Sequence, residues 1–115
     1  MDTTIYHNPR CSKSRATLDL LLTKGITPSI VEYLKSPPSK DSLKKILSLL
    51  CITARELARS KELAWQEAGL GDDSDEEAIL EAMVQYPILI ERPIVIRGDH
   101  AVIGRPPENV NALID

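Results

Sequence analysis

Cysteine is scarce in this sequence, and its two copies are badly placed to support each other. Cys11 and Cys51 form no Cys-x-x-Cys pair, and neither stands at a zinc-ligand spacing from His7 or His100. The pattern excludes a small scaffold stapled by disulfides and gives no reason to expect a bound metal. We expect both cysteines to be free thiols in a reducing compartment.

Long apolar runs and excess positive charge are also missing. No run is long enough to cross a bilayer, and the first four residues lack the basic and apolar regions of a signal peptide. The formal net charge of -3 provides no general attraction to nucleic acid. We therefore expect a cytoplasmic protein that binds neither membranes nor nucleic acid.

The composition that remains is that of an ordinary globular protein. Hydrophobic residues make up 43% of the chain and charged residues 27%, which excludes a disordered or fibrous class. A length of 115 residues is sufficient for one hydrophobic core without disulfide or metal support. We expect a single domain over residues 1–115.

The N-terminal third has the pattern of a strand, a helix and a second strand. The β-branched and aromatic run Thr3–Tyr6 predicts the first strand, and Ser29–Tyr33 predicts the second. Between them a helix is predicted from Ser12 to Lys24, with Gly25 at its C-terminal end. A crossover of this length favours parallel strands.

The middle of the chain is predicted to be helical. Four apolar residues recur at i, i+3, i+4 and i+7: Leu43, Ile46, Leu47 and Leu50. Thr53–Glu56 and Ser74–Glu77 each have the form of a capping box, which predicts two further helix starts. Cys51 ends the apolar stripe, and we expect it to pack in or near the core.

A β-hairpin and a short helix are predicted at the C-terminus. Pro93–Ile96 and Ala101–Ile103 are the strand candidates, and Gly98 suits the first central position of a type II′ turn. Residues Glu108 to Ile114 are predicted to form the last helix. The element order is typical of an α/β thioredoxin-like fold, with a mixed four-stranded sheet and a helical insertion between the βαβ unit and the hairpin.

Cys11 is the candidate nucleophile, because it stands where the first strand is predicted to turn into the first helix. Unpaired backbone N–H groups and the helix dipole favour thiolate over thiol at such a position. Several neighbours carry or can carry positive charge: His7, Arg10, Lys13 and Arg15. The alternative is a small buried cysteine beside a solvated charged loop.

The spacing after Cys11 disfavours two classes of thiol site. Phosphatase loops need five residues between cysteine and arginine, whereas three separate Cys11 from Arg15. Thioredoxin-type redox sites need a second cysteine where this chain has Ser14. Any disulfide formed by Cys11 would therefore most simply involve an external thiol.

The segment His7–Arg15 resembles the His-x3-Cys-x3-Arg signature of the glutaredoxin-coupled arsenate reductase family, ArsC. Other blocks are similar to that family in the same order: Ile30–Leu34 followed by Pro37–Ser39, Arg55–Arg59, Pro87–Ile94 and Ile103–Pro107. The resemblance covers essentially the whole chain.

The resemblance implies two groups of site residues. The catalytic group comprises Cys11 as nucleophile with His7, Ser14 and Arg15, and the oxyanion-binding group comprises Arg59, Arg92 and Arg105. Guanidinium forks suit a tetrahedral dianion because they supply paired donors and keep their charge. The implied fold further predicts a cis peptide bond before Pro93.

The reaction implied is reduction of arsenate to arsenite through a cysteine–arsenic adduct. Glutathione would be a co-substrate, glutaredoxin a partner, and no cofactor would be bound. Two alternatives stay open: a redox-responsive regulator of the same fold that binds RNA polymerase, and a thiol oxidoreductase acting on another substrate.

Overall fold

The computed structural model describes residues 2–114, so Met1 and Asp115 lie outside the described residues. Two compact units are present: a sheet unit of residues 2–36 and 92–114, and a helical unit of residues 37–91. The expected single domain stays a prediction.

Four strands and six α-helices follow one another in the described residues. In chain order they are β1 (Thr3–His7), α1 (Ser12–Thr23), β2 (Ser29–Glu32), α2 (Lys40–Leu50), α3 (Ala54–Leu57), α4 (Leu63–Glu67), α5 (Glu76–Gln85), β3 (Ile94–Arg97), β4 (His100–Ile103) and α6 (Asn111–Ile114). Single 3-10 turns occupy Pro87–Leu89 and Pro107–Val110. Every helix within residues 2–114 is too short or too polar to cross a lipid bilayer.

The sheet has the order β2-β1-β3-β4. Strands β1 and β2 are parallel, whereas β3 is antiparallel to both β1 and β4. The mixed four-stranded sheet of the predicted thioredoxin-like fold is confirmed, and so is the helical insertion between its two halves.

One edge of this sheet collects four strand ends. His7 lies opposite Glu32, Tyr6 opposite Ile94, and Ile94 opposite Ile103. The carboxyl ends of β1, β2 and β4 therefore meet the amino end of β3. We call this the His7 edge, and the loop that leads to Cys11 leaves the sheet there.

The core of the sheet unit joins α1 to the inner strands. Ile5, Leu21, Val95 and Val110 have no exposed surface and form one cluster. Burying each of these side chains stabilises the fold by about 1.5–3 kcal/mol before entropy is counted. This packing fixes α1, and with it Cys11, against β1 and β3.

Side-chain caps mark the starts of α2, α3 and α5 in the helical unit, whereas α4 starts without one. The capping box predicted at Thr53 and Glu56 is present. The box predicted at Ser74 is wrong, because the N-cap of α5 is Asp75, whose Oδ1 accepts from Ala78 N–H at 2.8 Å. Ser74 instead accepts from Gly71 N–H at 3.0 Å, within the preceding turn.

Cys51 was predicted to pack in or near the core, and this prediction is wrong. Cys51 is exposed, and its backbone is left-handed with φ of 59° where α2 ends. A left-handed C-terminal residue turns the chain away from the helix axis, so the side chain leaves the apolar stripe of that helix.

The C-terminal hairpin is confirmed, with small changes in its bounds. Gly98 has φ of +60° at the first central position of the turn, as the type II′ prediction requires. The single helix predicted for residues 108–114 is instead a 3-10 turn followed by α6. The peptide bond before Pro93 is cis, as predicted, and the Arg105–Pro106 bond is also cis.

Candidate active site

Cys11 is the N-cap residue of α1, with extended backbone angles of φ −94° and ψ 124°. Its N–H donates to the carbonyl of Asn8, and its own carbonyl accepts from Arg15 N–H, both at 3.0 Å. Arg10 N–H donates to Asn8 Oδ1, which tightens the same turn. The residue is only 9% exposed, so its thiol lies at the positive end of a twelve-residue helix with little water around it.

A guanidinium group reaches the sulfur from a distant part of the sequence. Arg105 Nη1 donates to Cys11 Sγ at 3.8 Å, across a sequence separation of 94 residues. The contact places the positive charge of Arg105 directly against the sulfur. The structure thus joins one residue of the predicted oxyanion group to the predicted nucleophile.

His7 and Ser14 form a buried pair behind the loop. Nδ1 of the imidazole lies 2.6 Å from Ser14 Oγ, which also accepts from Asn8 N–H at 3.0 Å. Ser14 Oγ can either donate its proton to Nδ1 or accept from Nδ1–H, and the direction of this bond sets the tautomer of the imidazole. The bond links β1 to α1 directly beside Cys11.

The electrostatic surroundings of His7 favour its neutral form. Burial lowers the pKa of His7 below its ordinary value of 6.5, Glu32 acts in the opposite direction, and Arg15 lowers the pKa further. Glu32 lies opposite His7 in the parallel register of β1 and β2. Burial and Arg15 therefore shift the imidazole toward its neutral form.

Arg15 braces the loop that precedes the nucleophile. It is exposed on α1, and its Nη1 donates to the carbonyl of Pro9 at 2.9 Å. The structure therefore gives Arg15 a supporting contact within the loop, and its proposed catalytic role stays a prediction.

Arg92 and Arg105 leave the same edge of the sheet. Gly104 N–H donates to Pro93 O at 2.9 Å, which extends the β3–β4 register by one residue pair. One further step along this register places Arg92 opposite Arg105. Nε and Nη1 of Arg92 are buried. The register thus brings two of the three predicted oxyanion-binding arginines to the His7 edge.

Arg59 belongs to the helical unit, where two carboxylates surround it. Nη1 lies 2.8 Å from Glu62 Oε1, and Nε lies 3.8 Å from Glu91 Oε1. Its side chain is 23% exposed. An oxyanion bound by Arg59 would therefore compete with acidic neighbours, and its binding role stays a prediction.

Comparison with known proteins identifies the family. The sequence profile of the ArsC family matches residues 6–113. The chain belongs to the ArsC family. It is 50% identical to "Uncharacterized protein YfgD" of Escherichia coli K12, an alignment that spans 96% of this chain and 94% of that relative.

Two further ArsC relatives carry a functional name. An arsenate reductase of Neisseria meningitidis serogroup A is 45% identical, and the alignment spans 96% of each chain. The solved structure of an arsenate reductase from Vibrio cholerae is 43% identical, covers 97% of each chain and superposes with a TM-score of 0.93. The resemblance found in the sequence and the predicted fold are both confirmed.

Two residues of this ArsC site were not foreseen from the sequence. Glu32 acts on the pKa of His7. The position of Glu32 could have been predicted from the sequence, because Glu32 lies near the end of the predicted second strand. The parallel crossover brings that end beside His7. Thr17, buried on α1, donates to the carbonyl of Gly104 at 3.2 Å. No local motif marks that contact.

The described part of this ArsC site is suited to nucleophilic chemistry on an anionic centre. It offers a thiol at a helix N-terminus, a guanidinium in contact with the sulfur and an imidazole whose pKa is lowered. Within residues 2–114, no group of three or more His, Cys, Asp and Glu side chains is arranged to hold a metal ion.

Proposed function

We propose that this ArsC-family protein reduces arsenate to arsenite, with Cys11 as the nucleophile. The observation that carries the proposal is the contact of 3.8 Å between Arg105 Nη1 and Cys11 Sγ at the N-terminus of α1. The relatives named arsenate reductase support the choice of oxyanion.

The first step forms a sulfur–arsenic bond. The Cys11 thiolate attacks As(V), and one arsenate hydroxyl takes up a proton from solvent and leaves as water. Arsenic keeps its oxidation state in the resulting adduct. Arg105 stabilises the thiolate before attack, and together with Arg92 it neutralises the oxygens that remain on arsenic.

The second step transfers two electrons. The thiol of glutathione attacks the Cys11 sulfur, the sulfur–arsenic bond breaks, and its electron pair leaves with arsenic as arsenite. Two thiols are thereby oxidised to one mixed disulfide between Cys11 and glutathione. A glutaredoxin thiol then attacks the glutathione sulfur and releases Cys11 as thiolate.

The choice of external reductants rests on residue 14. Ser14 occupies the position where a local resolving cysteine would stand, and its hydroxyl is bonded to His7. Cys11 therefore has no second thiol in its own loop, and we propose glutathione and glutaredoxin as the electron source. No bound cofactor is needed, because external thiols provide both electrons.

The decisive experiment follows arsenite formation by the purified protein with arsenate, glutathione and glutaredoxin. Native protein and the matched control Cys51→Ser should both produce arsenite, whereas Cys11→Ser should produce none. Turnover by Cys11→Ser would remove Cys11 from the mechanism. If the native protein forms no arsenite but reduces a glutathione mixed disulfide, a thiol oxidoreductase acting on another substrate replaces the proposal.

A further inference from the structure

We propose that Thr17 and Asn109 are positioning residues, which hold Arg105 in place beside Cys11 by anchoring the backbone on both sides of the arginine. The proposal rests on the proposed role of Arg105, and it concerns two side chains that lie outside the motif around Cys11.

The first observation is a missing bond at the end of the β3–β4 ladder. Gly104 N–H donates to Pro93 O at 2.9 Å, so these residues occupy a hydrogen-bonded position of the antiparallel pair. Such a pair normally exchanges two bonds, but proline has no N–H to return the second. The carbonyl of Gly104, a buried residue, is left without its ladder donor.

The Thr17 hydroxyl contacts that carbonyl, and it shares its single proton between Gly104 O and the closer acceptor Lys13 O. The hydroxyl oxygen lies 3.2 Å from Gly104 O and 2.8 Å from Lys13 O, and the side chain is fully buried. Thr17 is on α1, the helix that Cys11 begins. The carbonyl directly before Arg105 is therefore tied to the same helix that positions the sulfur.

Close packing accompanies this bond. A Cβ atom added to Gly104 would lie 2.6 Å from Thr17 Oγ1 and 2.9 Å from Pro93 Cγ. The absence of a side chain at Gly104 thus lets the backbone approach α1 closely enough for the threonine hydroxyl to reach it.

Asn109 fixes the other side of the arginine. Its Nδ2 donates to Ile103 O at 3.0 Å and to Arg105 O at 3.2 Å. Asn109 is exposed, so it acts from the solvent side, whereas Thr17 acts from the core. The two side chains together fix three carbonyls in the segment that carries Arg105.

The test measures the reactivity of Cys11, which requires no arsenate. In a Cys51→Ser background, Cys11 is the sole thiol, and its second-order rate of alkylation by iodoacetamide is measured near neutral pH. Thr17→Val keeps the side-chain shape but removes the hydroxyl, and it should slow alkylation about threefold, because the guanidinium of Arg105 is no longer held against the attacking sulfur. Thr17→Ser retains the hydroxyl and should react at the parent rate.

A double-mutant cycle separates positioning from a merely structural role. If Thr17 acts through Arg105, then Thr17→Val should cause no further loss in an Arg105→Gln background. Equal slowing in both backgrounds, or no slowing in either, would overturn the proposal for Thr17.

Asn109→Ala is the second variant, chosen because it leaves the core intact even if Thr17→Val fails to fold. It should slow alkylation in the parent and have no further effect beside Arg105→Gln, and an unchanged rate in the parent would overturn the role of Asn109. Because alkylation does not involve arsenate, a native protein without arsenate activity would refute the proposed function and leave this test intact.

Discussion

Nδ1 of His7 and the hydroxyl oxygen of Ser14 lie 2.6 Å apart, and both side chains are buried. The same hydroxyl accepts from Asn8 N–H, so one serine oxygen links the end of β1, the loop before Cys11 and the first turn of α1. The active-site loop is thus held by a polar contact inside the sheet unit as well as by its apolar core.

Replacing Ser14 should show how much the contact with His7 contributes to the free energy of unfolding. Ser14→Ala leaves the buried imidazole and the Asn8 N–H without this partner, which should lower the free energy of unfolding by about 1–3 kcal/mol. Urea denaturation measures the change. Ser12→Ala is the matched control, because Ser12 is exposed on the same helix and should alter stability far less.

The lowered pKa of His7 predicts a pH dependence of stability. The unfolded imidazole titrates near 6.5 and the folded one below it, so the unfolded state binds more protons between the two values. The contribution of His7 is therefore fully present above the unfolded value and is lost as the pH falls through the folded one.

Urea unfolding of the native protein and His7→Gln at about pH 5.5 and about pH 7.5 tests this dependence. The native protein should gain more stability between the two values than the variant does. An identical gain in both proteins would show that the titration of His7 contributes nothing.

Arg59 offers a prediction about affinity. If it binds the oxyanion, Arg59→Gln should raise the KM for arsenate roughly tenfold, as expected for one lost charged hydrogen bond. Glu62→Gln removes the carboxylate 2.8 Å from that guanidinium and should lower KM, because less of its charge is already neutralised. If neither variant changes KM, Arg59 does not contact the substrate.

The cap of α5 predicts a local effect on stability. Asp75→Ala removes the bond to Ala78 N–H and should destabilise the protein by about 1 kcal/mol, measured by thermal or urea unfolding. Asp75→Asn keeps an acceptor oxygen and should stay close to the native value. Equal losses in the two variants would show that charge, rather than the cap bond, is what Asp75 contributes.

Local patterns predicted most of the sheet unit. The β-branched and aromatic run of β1, the glycine after α1 and the turn at Gly98 each have a short-range physical cause, so the sequence predicted their positions. The choice of Ser74 over Asp75 failed because two adjacent residues can both cap a helix, and the bond of Ser74 to Gly71 decides between them.

Contacts between segments that are distant in the sequence were harder to predict. The family resemblance named Arg105, but its approach to the sulfur spans 94 residues and is visible only once the sheet is assembled. The bond from Thr17 to Gly104 spans 87 residues and depends on a proline that cannot donate, so no local pattern reveals it. The prediction of a core position for Cys51 was wrong because its left-handed backbone ends α2, so the apolar periodicity of that helix does not extend to residue 51.

In the proposed mechanism Cys11 bonds to arsenic and then exchanges it for glutathione. Mass spectrometry of the Cys51→Ser protein, incubated with glutathione with or without arsenate and with no glutaredoxin, detects this exchange on the protein itself. We expect a glutathione adduct on Cys11 that forms only with arsenate, with one arsenite released per protein. A Cys11 that stays unmodified, or that gains glutathione equally without arsenate, would contradict this mechanism.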